Sequence, residues 1–288
     1  MLRWFQTRRH HIKSTPSMSN WIEGKFDKSW SLYVDFDDTC SVRDTIADLA
    51  KLACKATNRP STEWDRLVSL FLHDLSNVTK SLESTSSHST FQPHVLDAFL
   101  EAYTAADAES VKRVEQSQVL QGIPKSSLIS KVGLKPGCAE LLSKWPGDVA
   151  IISSNWSQTF VTSALTDVAE KRAQHNLPFS VIANELELED DVTTGNILMQ
   201  IQSPRDKMAH VLRAQKSGRR VVFIGDGVND LLALVAADVG LVLNSPGSSI
   251  FRVAKHVGLP ILDSSTDGRG LIHIATWDAI RSFLDFQT

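Results

Sequence analysis

Long apolar runs and paired cysteines are both missing from this sequence. Its three cysteines, Cys40, Cys54 and Cys138, are an odd number without metal-site spacing, and we interpret them as free thiols of a reducing compartment. The longest apolar runs fall far short of the roughly 20 residues of a membrane-spanning helix. We therefore expect no membrane partner.

A strong charge of one sign is missing as well. The chain carries 30 basic and 33 acidic side chains, a formal net charge of −3, which does not favour a nucleic-acid or anionic-membrane partner. With 42% hydrophobic and 22% charged residues, the 288 residues have the composition of a globular chain with a large core in one or two domains.

Acidic residues are absent from residues 1–20, which contain Arg3, Arg8, Arg9 and Lys13. This composition is typical of two kinds of segment, a mitochondrial or plastid presequence and a disordered basic tail. Met18 offers a second start that would leave a cytoplasmic form. The predicted localisation is therefore mitochondrial or cytoplasmic.

Three carboxylates stand at the end of a predicted buried strand. Asp35, Asp37 and Asp38 follow the apolar run Leu32-Tyr33-Val34. Carboxylates this close repel one another and raise each other's pKa, and a divalent cation such as Mg²⁺ relieves the repulsion by binding their oxygens. Asp35 and Asp37 are two residues apart, so both can face one site. The alternative is an acidic turn on the surface.

Helical periodicity follows this strand from residue 44 to residue 132. Apolar residues over 64–75 and 96–103 recur at the spacing of a helix face, and Pro60-Ser61-Thr62 is a helix start signal. The Ser/Thr-rich stretch 81–90 between them is predicted to be a loop. We predict a helical unit inserted after the first strand.

Apolar strands alternate with helices from residue 135 onward. We predict strands at 149–152, 181–183, 197–201, 221–224, 240–243 and 259–262, with a turn at Thr194-Gly195-Asn196, and helices from Ser157, over 205–215 and through 231–234. Such alternation predicts a parallel sheet covered on both faces. Ligands bind beyond the carboxyl ends of such strands, where Asp35, Ser153 and Asp226 stand.

A second acidic cluster, Gly225-Asp226-Gly227-Val228-Asn229-Asp230, follows another apolar strand. Its glycines let the backbone turn sharply near a ligand. Ser153 offers a hydroxyl to a phosphate oxygen, and Lys207, near a helix start, offers a positive charge. Taken singly, each has an ordinary structural explanation. The Gly-Asp-Gly turn is common in loops, Ser153 can simply end a strand, and Lys207 can be a solvated charge.

In this order, the four sites resemble the four motifs of the haloacid dehalogenase (HAD) superfamily of aspartate-nucleophile phosphatases. The matching stretches are Asp35-x-Asp37-x-Thr39, Ser153, Lys207 and Gly225-Asp226-x-x-x-Asp230. Asn184-Glu185-Leu186 and the fourth motif are similar to the phosphoserine phosphatase branch. A closer resemblance is to the thiamine monophosphate phosphatase domain of plant bifunctional proteins. It rests on Asp35-Phe36-Asp37-x-Thr39-Cys40, Ser153-x-x-Trp156, Ser203-Pro204-x-Asp206-Lys207 and Ala237-Asp238-Val239-Gly240.

Two features depart from the plant arrangement. The chain has no room for the thiaminase-II-like domain to which the plant domain is fused, and Gly227 and Asn229 follow the phosphoserine phosphatases. The resemblance implies an α/β fold with a three-layer Rossmann-like HAD core, a parallel sheet and a helical cap inserted after the first strand. The expected boundaries are 21–43 and 133–288 for the core and 44–132 for the cap.

The resemblance also implies a Mg²⁺-dependent phosphomonoesterase. Asp35 would attack phosphorus and form an aspartyl phosphate, and Asp37 would serve as general acid and then general base. Asp35, the Asp37 backbone carbonyl and Asp226 would hold the metal, with Asp230 as a further ligand or a support. Thr39, Ser153 and Lys207 would contact the phosphoryl oxygens.

Two residues are candidates for substrate specificity. Asp44 stands nine residues after Asp35, where phosphoserine phosphatases carry an acid that binds the substrate's amino group, and its alternative role is a helix cap. Trp156 is a candidate for stacking on a flat cationic ring, and its alternative role is a buried core residue.

The expected partner is a small phosphomonoester, and the chain is expected to be a monomer or homodimer. Thiamine monophosphate is the first candidate, with phosphoserine, phosphocholine, phosphoethanolamine and pyridoxal phosphate as alternatives. Other classes that remain open are a phosphotransferase such as a mutase and an inactive HAD module used for binding.

Overall fold

The computed structural model describes residues 26–129, 131–263 and 270–284. The predictions made for residues 1–20, a presequence or disordered tail and a second start at Met18, lie outside the described residues. In the ranges that are described, every helix is too short or too polar to cross a bilayer.

In the part of the chain that the structure describes, seven parallel strands form the central sheet. They are β1 (Trp30–Val34), β2 (Val149–Ile152), β3 (Phe179–Ile182), β6 (Arg220–Gly225), β7 (Val239–Val242), β8 (Ile261–Asp263) and β9 (Leu271–His273). Their order across the sheet is β3-β2-β1-β6-β7-β9-β8, so β1 and β6 are adjacent near its middle. The acidic clusters that follow β1 and β6 therefore meet at one edge of the sheet.

Helices cover both faces of this sheet. They are α4 (Cys138–Lys144), α5 (Gln158–Ala164), α6 (Thr166–Gln174), α7 (Pro204–Lys216), α8 (Leu231–Ala236), α9 (Ser249–His256) and α10 (Trp277–Phe283). Successive residues of β6 alternate between the two apolar layers, with Val222 and Ile224 in one and Val221 and Phe223 in the other. This confirms the predicted three-layer α/β architecture.

Among the described residues, three α-helices lie between β1 and α4, as predicted for the insertion. They are α1 (Ile46–Thr57), α2 (Thr62–Glu83) and α3 (Pro93–Ser117). The predicted loop at 81–90 is wrong for its first three residues, because α2 continues to Glu83 and buries Leu82 in the core. Packing against the core thus extends the helix into a Ser-rich stretch that favours a loop.

The turn predicted at Thr194-Gly195-Asn196 is also wrong. Those residues lie inside β5 (Val192–Leu198), which pairs with β4 (Glu185–Glu189) in a separate antiparallel hairpin. The turn is formed by Asp190 and Asp191, both with positive φ, in a two-residue loop. Gly195 keeps its positive φ within the strand, where an added Cβ would lie 3.0 Å from the side chain of Gln118.

Candidate active site

Lys207 joins the two acidic clusters. Its Nζ donates to Asp35 Oδ1 at 2.6 Å and to Asp230 Oδ1 at 2.8 Å, and all three side chains are buried. Burial alone would lower the pKa of Lys207, but the charges of Asp230 and Asp35 outweigh it and raise the pKa above its ordinary value. Lys207 is therefore a permanent cation between the two carboxylates.

The start of α7 places Lys207 at this point. Pro204 occupies the first turn, and Ser203 caps the helix in a reciprocal capping box with Asp206, whose Oδ2 accepts from Ser203 N at 2.9 Å. The cap fixes where the helix begins, so Lys207 lies one turn in and points at the ends of β1 and β6.

Asp226 completes a cluster of three carboxylates. Single oxygens of Asp35, Asp226 and Asp230 lie within 4.8 Å of one another. Burial and the neighbouring Asp230 raise the pKa of Asp226 to about 7. Three carboxylates against the single ammonium of Lys207 leave two negative charges without a partner. This donor set and charge fit a hard divalent cation that binds oxygen.

Close approach of the backbone allows Asp230 to reach this cluster. A Cβ added to Gly225 would lie 2.5 Å from Asp230 Cγ, so any larger residue would displace that carboxylate. At Gly227 the nearest atom to an added Cβ is 3.7 Å away, and its N–H donates to Asp230 Oδ2 at 3.0 Å. Gly225 provides the space for Asp230, and Gly227 provides a backbone hydrogen bond to it.

Asp37 is held on both of its carboxylate oxygens. Oδ1 accepts from Thr45 N at 2.8 Å and from Thr45 Oγ1 at 2.6 Å, and Oδ2 accepts from Asn155 Nδ2 at 2.8 Å. Burial raises the pKa of Asp37 to about 6, and the hydrogen bonds from Thr45 and Asn155 oppose that rise. The carboxyl group is thus fixed in position and more basic than an ordinary aspartate.

Thr45 and Asn155 escaped the sequence analysis. Both are fully buried, and Asn155 Nδ2 also contacts Thr45 Oγ1 at 3.0 Å. The signal that points to Asn155 is its position two residues after Ser153 at the end of β2, where a buried amide needs partners. Thr45 gives no comparable signal, because a threonine before a helix is ordinary.

The remaining candidate phosphate contacts lie at the same edge. Ser153 is 1% exposed, and its Oγ accepts from Asn155 N at 3.1 Å. Thr39 Oγ1 donates to Asp226 Oδ1 at 2.8 Å, so in this structure the hydroxyl supports the carboxylate cluster. Asn229 Nδ2 donates to Ser154 Oγ at 2.9 Å and ties the turn after β6 to the end of β2.

The two candidate specificity residues have partners of their own. Asp44 is exposed, and its Oδ1 accepts from Ile46 N at 2.8 Å at the start of α1, a helix-capping contact. Trp156 is 8% exposed and packs edge-on against Trp64, with ring centroids 6.2 Å apart. The capping and core alternatives describe the observed contacts of these two residues.

Comparisons with known proteins agree with this geometry. The chain is 26% identical over 263 residues to the bifunctional TH2 protein, mitochondrial, of Arabidopsis thaliana, covering 79% of this chain but 41% of that protein. It is 32% identical over 165 residues to phosphoserine phosphatase of Idiomarina loihiensis, covering 54% of this chain and 67% of that protein.

A solved structure shares the fold. The phospho-aspartyl intermediate analogue of phosphoserine phosphatase aligns with a TM-score of 0.53 at 18% identity, over 91% of this chain and 100% of that one. The sequence profile of the haloacid dehalogenase-like hydrolase family matches residues 33–234. The chain therefore belongs to the haloacid dehalogenase-like hydrolases, in which it is a phosphoserine phosphatase-like enzyme.

Proposed function

We propose that the chain is a Mg²⁺-dependent phosphomonoesterase that hydrolyses a small metabolite phosphate through an aspartyl phosphate. The observation that carries the proposal is the bridge from Lys207 to Asp35 and Asp230 beside Asp226. This arrangement supports the proposal, because the mechanism needs a nucleophilic carboxylate, a cation for phosphoryl oxygens and a divalent-cation site close together in one buried cleft.

In the first step an Asp35 oxygen attacks phosphorus, and the bond from phosphorus to the ester oxygen breaks. Asp37 gives its proton to the leaving alkoxide. In the second step Asp37 takes a proton from water, which attacks phosphorus and frees Asp35 and inorganic phosphate. The raised pKa of Asp37 suits both transfers, and Thr45 and Asn155 orient its carboxyl group.

The other residues bind and neutralise charge. Lys207 and Ser153 contact phosphoryl oxygens, and Thr39 does so or supports Asp226. Asp35, the backbone carbonyl of Asp37 and Asp226 would hold Mg²⁺, with Asp230 beside them. When bound, the ion supplies positive charge against the phosphoryl oxygens. Residues 44–132 act as the cap that excludes bulk water.

The substrate is proposed from motif resemblance. Thiamine monophosphate is the first candidate, followed by phosphoserine, phosphocholine, phosphoethanolamine and pyridoxal phosphate. Asp44 stays a candidate contact for a substrate cation and Trp156 a candidate stacking surface. A mitochondrial location, stated in the name of the Arabidopsis relative, remains a prediction for this chain.

The test is phosphate release by the purified chain from these esters and from p-nitrophenyl phosphate, with Mg²⁺ and after chelation by EDTA. We expect Mg²⁺-dependent release. Asp35→Asn should reduce turnover by at least about 10⁴-fold, as removal of a covalent nucleophile does.

Asp38→Asn is the matched control. This substitution also removes one negative charge, three residues after Asp35, and the Asp38 side chain is exposed. The backbone of Asp38 has φ 54°, a conformation that asparagine tolerates. We expect Asp38→Asn to keep most of the activity. Near-normal turnover by folded Asp35→Asn would eliminate the aspartyl-phosphate mechanism.

A further inference from the structure

Helix α3 carries one carboxylate without a partner among the residues that the structure describes. Four of its five acids are engaged: Asp97 and Glu101 pair with Arg205, Glu109 pairs with Arg113, and Glu115 accepts from Ile197 N. Asp107, which is partly buried, makes no hydrogen bond or ion pair with any residue that the structure describes. A carboxylate removed from water without a cation is costly, which points to a cationic partner that binds it.

Tyr103 lies one helical turn before Asp107 on the same side of α3, about 6 Å away along the axis. Its ring packs near Phe99, with centroids 6.2 Å apart. Tyr103 lines a cavity of about 470 Å³ together with Gly227, Val228 and Asn229, and the charged residues of that lining are Lys80, Glu83 and Arg252. Those three residues form the turn between Asp226 and Asp230, so Tyr103 faces the neighbourhood of the proposed phosphate site.

The charges that act on the Tyr103 hydroxyl agree with this placement. Burial raises the pKa of Tyr103 above its ordinary range, and the charged groups that act on it are Asp107, Lys207, Asp230 and Asp226. Tyr103 is therefore within electrostatic reach of both Asp107 and the catalytic cluster. Burial also raises the pKa of Asp107 to about 6, with no cation opposing the rise, so its carboxylate is ionised at pH 8.

We propose that Asp107 and Tyr103 bind a cationic group of the substrate, and that the enzyme selects phosphomonoesters with a quaternary ammonium or aromatic cation a few ångströms from the phosphate. The proposal rests on the phosphomonoesterase function proposed above. The carboxylate supplies the opposite charge and the ring face supplies cation–π attraction. Asp107 suits this role better than Asp44, whose Oδ1 already accepts the hydrogen bond from Ile46.

The test compares esters of matched shape that differ in charge, at pH 8 with Mg²⁺. One pair is phosphocholine and its neutral isostere 3,3-dimethylbutyl phosphate. The other is N-methylated and unmethylated 2-(4-methylthiazol-5-yl)ethyl phosphate. We expect the wild-type chain to prefer the cationic member of at least one pair. Asp107→Asn should lower kcat/KM for that member about 10- to 150-fold and for the neutral member less than about twofold.

Glu109→Gln is the matched control, because it removes one negative charge from the same helix at an exposed position. Its pairing with Arg113 is a surface contact, so the substrate preference should not change. Tyr103→Leu removes the ring face and should lower kcat/KM for the cation roughly 2- to 30-fold, whereas Tyr103→Phe should keep most of it.

Three results would overturn the proposal: no preference for a cation in either pair, equal losses on both members with Asp107→Asn, or the same loss with Glu109→Gln. Wild-type hydrolysis of p-nitrophenyl phosphate and the neutral esters would then still support the phosphomonoesterase. A wild-type chain inactive on every ester would instead refute the proposed function and this inference with it.

Discussion

The carboxyl group of Asp37 shows how much one residue depends on its neighbours. Asn155 and Thr45 come from the end of β2 and the entrance of the insertion, and together they donate three hydrogen bonds to it. Under the proposed mechanism Asp37 is the general acid and must point at the leaving oxygen, so its orientation matters as much as its pKa. We propose that Asn155 acts through Asp37, although it is absent from the motifs that the sequence displays.

We predict that Asn155→Ala lowers kcat about 10- to 100-fold and changes KM less than about threefold, because Asp37 loses the partner of Oδ2 and its carboxyl group rotates. Steady-state kinetics with p-nitrophenyl phosphate measure this, with a thermal melt to verify folding. A folded variant with normal kcat would show that Thr45 alone is enough to orient Asp37.

At the scale of elements, the turn after β6 determines the geometry of the carboxylate cluster. Gly225 leaves room for Asp230 against the backbone, and the capping box of α7 brings Lys207 to the same carboxylate. Gly225 and Gly227 thus have different roles in one turn, and matched alanine substitutions can distinguish these roles.

We predict that Gly225→Ala reduces kcat/KM by on the order of 100-fold, because a methyl group 2.5 Å from Asp230 Cγ must displace that carboxylate. Gly227→Ala is the control, with 3.7 Å of clearance and φ −110°, which alanine adopts freely. Mg²⁺ affinity, measured by calorimetry, should weaken in the first variant only. Equal activity of the two variants would contradict this account of the turn.

Contacts between elements also hold α3 against the core. Arg205, at the start of α7, bonds Asp97 and Glu101 of α3 at 2.7 and 2.9 Å. Just before α3 begins, the backbone N–H groups of His88 and Gln92 donate to the carbonyls of His256 and Val257 at the end of α9. These contacts fix the position of α3, and with it Tyr103 and Asp107, relative to the candidate active site around Lys207.

For the molecule as a whole, the lone carboxylate of Asp107 carries a stability cost. The pKa of Asp107 is about 6 in the folded protein against 3.8 for an ordinary aspartate. Between these values the folded state binds more protons than the unfolded state, so the free energy of unfolding falls as pH rises from about 4 to 6. The cost is then fully present at pH 8.

We predict that Asp107→Asn raises the free energy of unfolding by about 1–3 kcal/mol at pH 8, because asparagine carries no charge to bury. The gain should shrink as the pH falls from 7 to 5. Urea unfolding across this range, without substrate, measures it, and Glu109→Gln provides the control. A gain that does not depend on pH would exclude burial of the Asp107 charge as its cause. A variant that gains stability and loses substrate preference, as expected for Asp107→Asn, shows the usual trade-off between stability and function.

The sequence by itself determined most strands of the central sheet, the insertion and the strand-end acids. Such features follow from local patterns. Apolar runs such as those of β1 and β6 form buried strands, and the capping residues that start α7 act within a single helical turn. The sequence did not predict β4 or β9, and the strand predicted at 197–201 covers only the last two residues of β5. The hairpin turn was misplaced because both Thr194-Gly195-Asn196 and Asp190-Asp191 suit a turn locally. The glycine at position 195 instead allows close approach to Gln118, a contact made only in the tertiary structure.

Only the tertiary structure decided which of these groups meet. Lys207 bonds Asp35 across 172 positions of sequence, and Asn155 bonds Asp37 across 118. Within the described ranges it also left Asp107 without a partner, while the other acids of α3 found one. Electrostatic and hydrogen-bond energies depend on distance in space and on burial, and both are set by which strands and helices become neighbours in the fold.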